Sequence, residues 1–201
     1  MRDVTGILIA GVGGQGIILA GKLAAQAAIL GGMDVKTSEI HGMAQRGGSV
    51  VTHVRFGPKV FAPVIDSGGA DFLLAFEKLE GLRNLKFLRP GGTVILNDQV
   101  IEPLPVLLGK ATYPADVVEQ IGARFPLLVI NALAEAEGCG DTRTANVVLL
   151  GALAHRLPFP RSVWEEALRA VVPARFLELN RRAFARGFEI AASKQPRLRQ
   201  K

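Results

Sequence analysis

The chain is poor in the residues that carry redox and metal chemistry. Its 201 residues include one cysteine, Cys139, and three histidines. A single cysteine makes no internal disulfide and cannot by itself ligate an iron–sulfur cluster or a structural zinc. Redox work by this chain therefore needs a partner or an organic cofactor. Aromatics are scarce too, with one tryptophan and one tyrosine, and no groove-reading motif marks a nucleic-acid binder. No apolar run approaches the length of a membrane span, and the opening MRDVTGILIAG reaches a glycine-rich turn where a signal peptide would need a longer apolar core. The expectation is a cytoplasmic protein with neither a membrane nor a nucleic acid as partner.

What is present is apolar mass and glycine. At 49% hydrophobic residues the chain is long enough to bury one sizeable core. The net charge of +6 gathers late, at Arg169, Arg175, Arg181, Arg182 and Arg186, then at Lys194, Arg197, Arg199 and Lys201. It reads as a solvated helix face followed by a frayed tail, or as a surface for an acidic protein or for phosphates.

Hydrophobic runs of strand and helix length alternate. TGILIAGV reads as a buried parallel strand ending in a tight turn. A helix from Gly16 through IILAGKLAAQAAIL stops at Gly31 and Gly32. DVKTSE is a short strand leading into the loop IHGMAQRGGS. SVVTHVRFGPKVFAPVI predicts two strands joined at Gly57 and Pro58, an antiparallel hairpin over about 49–65. DFLLAF, TVILND, GKATYP and PLLVIN are then spaced as strands, with helical segments KLEGLRNLKFL, ADVVEQIG and NALAEAEG between them. Beyond Asp141 only helical periodicity remains, punctuated by Pro158, Pro160 and Pro173. The predicted fold is a three-layer α/β/α arrangement with a mostly parallel sheet, one antiparallel hairpin and a helical C-terminal part. It forms a single α/β domain over 1–192, helical from about 142, with a disordered basic tail over 193–201.

The stretch ILIAGVGGQGIILAGK matches two phosphate motifs at once. Gly16 to Lys22 reads G-x-x-x-x-G-K, but Leu23 stands where a P-loop needs a magnesium-binding hydroxyl, and residues 17–20 are aliphatic. Lys22 is then a helix-face lysine, and Gly21 lets the helix pack closely on the sheet. Gly11, Gly13 and Gly16 fit G-x-G-x-x-G, with strand, turn and helix in the order of a dinucleotide fold. That reading needs an acidic residue closing the second strand, and Glu39 is the nearest. Four glycines within residues 11–16 exceed what helix–strand packing needs, so Gly11, Gly13, Gly14 and Gly16, with the side-chain amide of Gln15, are the candidate cofactor-binding residues. His41, Gln45, Arg46 and Ser49 form a second polar cluster, on a loop carrying Gly42, Gly47 and Gly48. Arg46 has the fork that holds a carboxylate or phosphate.

The remaining polar residues have ordinary readings. Asp71 and Glu77 flank FLLAF, and Glu80 and Arg83 pair three apart, as caps and surface pairs. His53 alternates within a strand, and His155 lies near a helix end where its charge would suit the dipole. No serine, histidine and aspartate arrangement marks a catalytic residue.

GVGGQGIILAGK, HGMAQRGGSV, PVIDSGGAD, LAFEKLEGLR, GGTVILN, NVVLLGAL and ELNRRAFARG occur in this order over most of the chain. Together they resemble the gamma-type subunit or domain of the thiamine-diphosphate-dependent 2-oxoacid:ferredoxin oxidoreductases, with the nearest likeness to the small subunit in the indolepyruvate branch. The resemblance implies a hetero-oligomer that converts a 2-oxoacid and coenzyme A to acyl-CoA and CO2 and reduces ferredoxin. It implies that thiamine diphosphate, magnesium and the iron–sulfur clusters lie on a large partner subunit, since their ligands are missing here. The glycine-rich turn would then meet a phosphate of coenzyme A or the partner subunit, and the loop with His41, Gln45, Arg46 and Ser49 would lie at the interface near the thiamine site. A free-standing Rossmann-type nucleotide-binding or regulatory module is the alternative.

Overall fold

The computed structural model describes residues 3–42 and 47–194. Strand β1, Thr5–Val12, is buried along almost its whole length and lies inside the sheet. It feeds helix α1, Ile17–Leu30, through the glycine turn. Gly16 begins α1 with φ of 81°, and Gly32 follows its end with φ of 77°, backbone that residues with a Cβ rarely adopt. Strands β2, Asp34–His41, and β3, Ser49–Gly57, come next. Then follow β4, Ala70–Ala75, helix α2, Lys78–Arg83, and β5, Leu88–Asn97. The short helices α3, Leu104–Leu107, and α4, Val117–Gly122, lead to β6, Leu127–Ile130, and α5, Ala132–Gly138. The remainder is helical: α6, Ala145–Ala154, α7, Arg161–Val171, and α8, Ala174–Ser193.

The sheet order is β2-β3-β1-β4-β5-β6. Pairings β1–β4, β4–β5 and β5–β6 are parallel, whereas β3 runs antiparallel to both β1 and β2. The expected α/β fold with a mostly parallel sheet and one hairpin is what forms. The hairpin lies one segment earlier than the 49–65 expectation, at β2–β3. The segment 58–65 is no strand, because Pro58 and Pro63 remove ladder donors. Side chains hold it instead: Asp34 accepts from the Val60 amide at 2.8 Å, Arg55 donates to the carbonyls of Ala62 and Val64, and His53 Nδ1 accepts from the Ile65 amide at 3.1 Å. GKATYP is not a strand either. Gly109 takes φ of 68°, and the segment is anchored through the Tyr113 hydroxyl.

Two cores lie on the two faces. On one, α1 and α5–α8 cover Ile7 and Ile9 of β1 and Val54 of β3, with Trp164 fully buried against Phe184. Helices α6 and α8 cross at Gly151 and Gly187. A Cβ on Gly187 would collide with the Val148 carbonyl, and one on Gly151 with that of Phe184. The opposite face is thinner, with Leu8, Leu73 and Leu96 under Leu85, Val117 and Ile121. All of the tail expected over 193–201 but its first two residues, from residue 195 on, lies outside the described residues.

Candidate functional site

The glycine turn sits where the chain leaves the sheet in two directions. From β1 it passes through α1 to β2 on one face, and from β4 through α2 to β5 on the other. In open α/β sheets a crevice forms at such a point, beyond the carboxyl ends of the strands. The four glycines do different things there. Gly11 lies under the turn, where a Cβ would come within 2.8 Å of both Gln15 Oε1 and Phe76 Cβ. Gly13 exchanges backbone hydrogen bonds with the second loop, donating to the Gly48 carbonyl at 2.8 Å and accepting from the Gly47 amide at 3.2 Å. Gly14, with φ of 105°, faces open space. Gly16 lies against Asn146, which donates to its carbonyl at 3.3 Å.

Gln15 fastens this turn to the sheet. Its Oε1 accepts from the Val12 amide at 2.7 Å, and its Nε2 donates to the Phe76 carbonyl and to Gln99 Oε1, each at 2.9 Å. Gln99 also accepts from Asn97, whose Oδ1 takes the Ala132 amide. A side-chain network thus ties the ends of β1, β4 and β5 and the start of α5.

Helix α1 has no side-chain cap, so its first-turn amides are left to whatever occupies the space before them, and the aligned peptide dipoles favour an anion there. Two clefts meet at Gly14. One, of ≈ 300 Å³, is lined by Gly13, Gly16, Ile17, Ile18, His41 and Val50. The other, of ≈ 230 Å³, is lined by Gln15, Asn97, Gln99, Thr142, Arg143 and Asn146. Arg143 is paired with Asp141, which also caps the turn before α6. That guanidinium holds the Asp141 carboxyl below its ordinary range.

Of the second cluster, His41 reaches the first cleft, with Nδ1 3.1 Å from the Gly42 carbonyl oxygen. Ser49 points the other way. Its hydroxyl donates to Glu80 at 2.5 Å, and Glu80 also takes Arg83 at 2.7 Å. Gln45 and Arg46 lie outside the described residues. Glu80 is 3% exposed, so the expected Glu80–Arg83 pair forms with its carboxylate in the interior instead of on the surface. Glu77 is the expected helix cap and is equally buried. It accepts from the Glu80 and Ile101 amides and from the Tyr113 hydroxyl. Burial, with the Glu77 hydrogen bond and charge behind it, pushes the Tyr113 hydroxyl far above its ordinary range.

His53 is the sheet residue expected, its pKa lowered by burial. The His155 reading is corrected. Burial and the neighbouring Arg156 lower its pKa and so work against the charge that the helix end would favour; Arg156 instead donates to the carbonyls of Ala191 and Lys194 at the end of α8.

Asn146, Asn97, Gln99 and Arg143 were not legible as site residues. They lie between 81 and 130 positions beyond Gly16, and single polar residues at strand ends and helix starts carry no local pattern. The dinucleotide reading also loses its geometry. With β3 inserted between β1 and β2, Glu39 stands on the edge strand, separated by a whole strand from the turn that a ribose-binding acid must face.

Residues 6–190 match the family model described as pyruvate ferredoxin/flavodoxin oxidoreductase. The chain belongs to that family. It is 41% identical over 193 residues to indolepyruvate oxidoreductase subunit IorB of Thermococcus kodakarensis, covering 92% of this chain and 95% of that one. The gamma subunit of the keto/oxoacid ferredoxin oxidoreductase from Geobacter sulfurreducens superposes with a TM-score of 0.71 at 29% identity, over 94% of this chain and 99% of that one. A likeness in fold alone, at 23% identity and a TM-score of 0.76, extends to 2-oxoglutarate:ferredoxin oxidoreductase from Magnetococcus marinus, a structure with 2-oxoglutarate, coenzyme A and succinyl-CoA bound; it covers 98% of this chain and 32% of that one. Among the described residues of this family member, no group of three or more His, Cys, Asp and Glu could hold a metal ion. No described helix is long and apolar enough to cross a membrane. Cys139 is a half-buried free thiol.

Proposed function

We propose that the chain is the non-cluster-bearing subunit of a 2-oxoacid:ferredoxin oxidoreductase, which joins the acyl part of a 2-oxoacid to coenzyme A, releases CO2 and passes the electrons to ferredoxin. Thiamine diphosphate, with its magnesium, and the iron–sulfur clusters would belong to a larger partner subunit and supply decarboxylation and electron transfer there. The 41% likeness to an indolepyruvate oxidoreductase subunit favours an aromatic 2-oxoacid for the complex.

The observation that carries this chain's own share is the uncapped start of α1, opening beside Gly14 onto two clefts. A phosphate of coenzyme A fits that place. The amides and the helix dipole stabilise its charge, and Gly14 leaves room for it to approach. Gly11 and Gly16 allow the close packing that shapes the turn, Gly13 joins it to the second loop, and Gln15 holds it through three hydrogen bonds. His41, Gln45, Arg46 and Ser49 belong to the loop we assign to the partner interface, with Ser49 anchoring its exit on Glu80.

The test is reconstitution with the large subunit. The isolated chain should reduce no viologen dye, and the mixture should do so in a manner that depends on 2-oxoacid and coenzyme A. Gly14→Ala should raise the KM for coenzyme A about tenfold while leaving that for the 2-oxoacid unchanged. Turnover by this chain alone would sink the assignment. A rise in the 2-oxoacid KM without one for coenzyme A would remove the anion from the glycine turn.

A further inference from the structure

The G-K at Gly21 and Lys22, which serves no P-loop, borders a groove separate from the glycine turn. It measures ≈ 380 Å³ and runs between α1, the edge strand β2 and the end of α7 at Ala170 and Val171. Cavities of this volume are the ordinary size for small-molecule sites. Its polar residues face one another across it. Lys22 and Gln26 are one helical turn apart on α1, and Thr37 and Glu39 alternate on the same face of β2. Thr52, the cross-strand neighbour of Glu39 on β3, lies at the floor.

Two things are unfinished in this groove. The Thr52 side chain is buried, at 1% exposure, and its hydroxyl has no hydrogen-bond partner among the described residues. Such a group ordinarily has a partner, and because the oxygen itself is covered, an occupant of the groove would gain it only through a turn of the Thr52 side chain. Lys22 and Glu39 line the same groove with opposite charges, yet neither is in an ion pair among the described residues. Gly21 helps to set the floor, since a Cβ there would come within 2.6 Å of the Thr52 methyl.

We propose that this groove binds a small zwitterion, an α-amino acid, with its carboxylate toward Lys22 and its ammonium toward Glu39. A simple anion would meet Glu39 as a like charge, and a simple cation would meet Lys22. Only a ligand carrying both charges satisfies both walls. Gln26 and Thr37 supply the hydrogen-bonding groups around it, and Ala25, Ile29, Ala170 and Val171 the apolar surface for its side chain. The site is distinct from the coenzyme A reading of the glycine turn and does not depend on it.

Calorimetric titration of the full chain with each standard L-amino acid tests the proposal, followed by analogues of the best binder that lack one charge, its amide and its deaminated acid. Saturable binding with a Kd of about 1 mM or tighter is expected. Each analogue should bind at least about tenfold more weakly, as should the wild-type ligand to Lys22→Met or to Glu39→Gln. Both residues are exposed, so these variants should keep the wild-type thermal midpoint. Absence of saturable binding for every amino acid overturns the proposal. So does binding that survives both substitutions, or binding that disappears when the large subunit is added, since the groove would then be part of a protein interface.

Discussion

The two faces of the sheet are built on different principles. The thick face, with α1 and α5–α8, is held by apolar contact so close that Gly151 and Gly187 have no room for a methyl group. The thin face, with α2 and α4, buries two carboxylates, Glu77 and Glu80, which hold connecting segments by hydrogen bonds. Packing fixes where helices lie, whereas these carboxylates fix where loops begin and end. Ser49, Leu79, Ile101 and Tyr113 are all placed through the thin face.

The comparison breaks most visibly at the α6–α8 crossing. Gly187→Ala should destabilise the free chain by about 3 kcal/mol, because the methyl must displace the Val148 carbonyl. Gly138→Ala is the control. Nothing lies near a Cβ at that position, so helix propensity should leave it neutral or raise stability by about 0.5 kcal/mol. Urea denaturation of both variants measures the difference, and equal losses would mean that the crossing tolerates a shift of α8.

On the thin face Glu77→Ala should cost about 2 kcal/mol, since it strips a helix cap and leaves the Tyr113 hydroxyl and the Ile101 amide without their acceptor. Tyr113→Phe in the same background should add less than it does alone, by about 1 kcal/mol, because the two side chains share one hydrogen bond. Strict additivity in that double-mutant cycle would show that the carboxylate does not hold the 101–113 segment.

The smallest expected effect depends on pH. His53 and His155 have folded-state pKa values lowered from 6.5 by burial. Below that value the unfolded chain binds protons that the folded chain refuses, so stability falls as the pH drops through 6.5 toward the folded values and is fully present above 6.5. The urea midpoint should decline on acidification in this window, and His53→Gln combined with His155→Gln should flatten the decline. An unchanged slope in the double variant would assign the acid sensitivity to other groups.

The parallel half of the sheet was legible because its strands are continuous apolar runs closed by glycine or by a capping residue, as at Gly11 and Asn131. The sequence points to a hairpin at 49–65 because Gly57-Pro58 is a strong turn signal, whereas β2 and β3 are joined through residues 42–48, a connection longer than the short loops whose residue pattern marks a hairpin. GKATYP looked like a strand for its Ala-Thr-Tyr core, but its only tyrosine is spent on Glu77. The glycine turn was visible as a motif. The division of labour among Gly11, Gly13, Gly14 and Gly16 was not, since it depends on Phe76, Asn146 and Gly48, which only the tertiary fold brings near.

The two hydrogen bonds of Gly13 to Gly47 and Gly48 tie the glycine turn to the backbone that enters β3. Displacing either one breaks hydrogen bonds of the other. Under the function proposed above, thermodynamic reciprocity relates their occupants: whatever free energy a neighbouring subunit gains at this segment when the turn is already filled, a ligand of the turn gains equally when that subunit is already in place. Assembly and ligand affinity would be two readings of a single coupling, routed through one residue with no side chain.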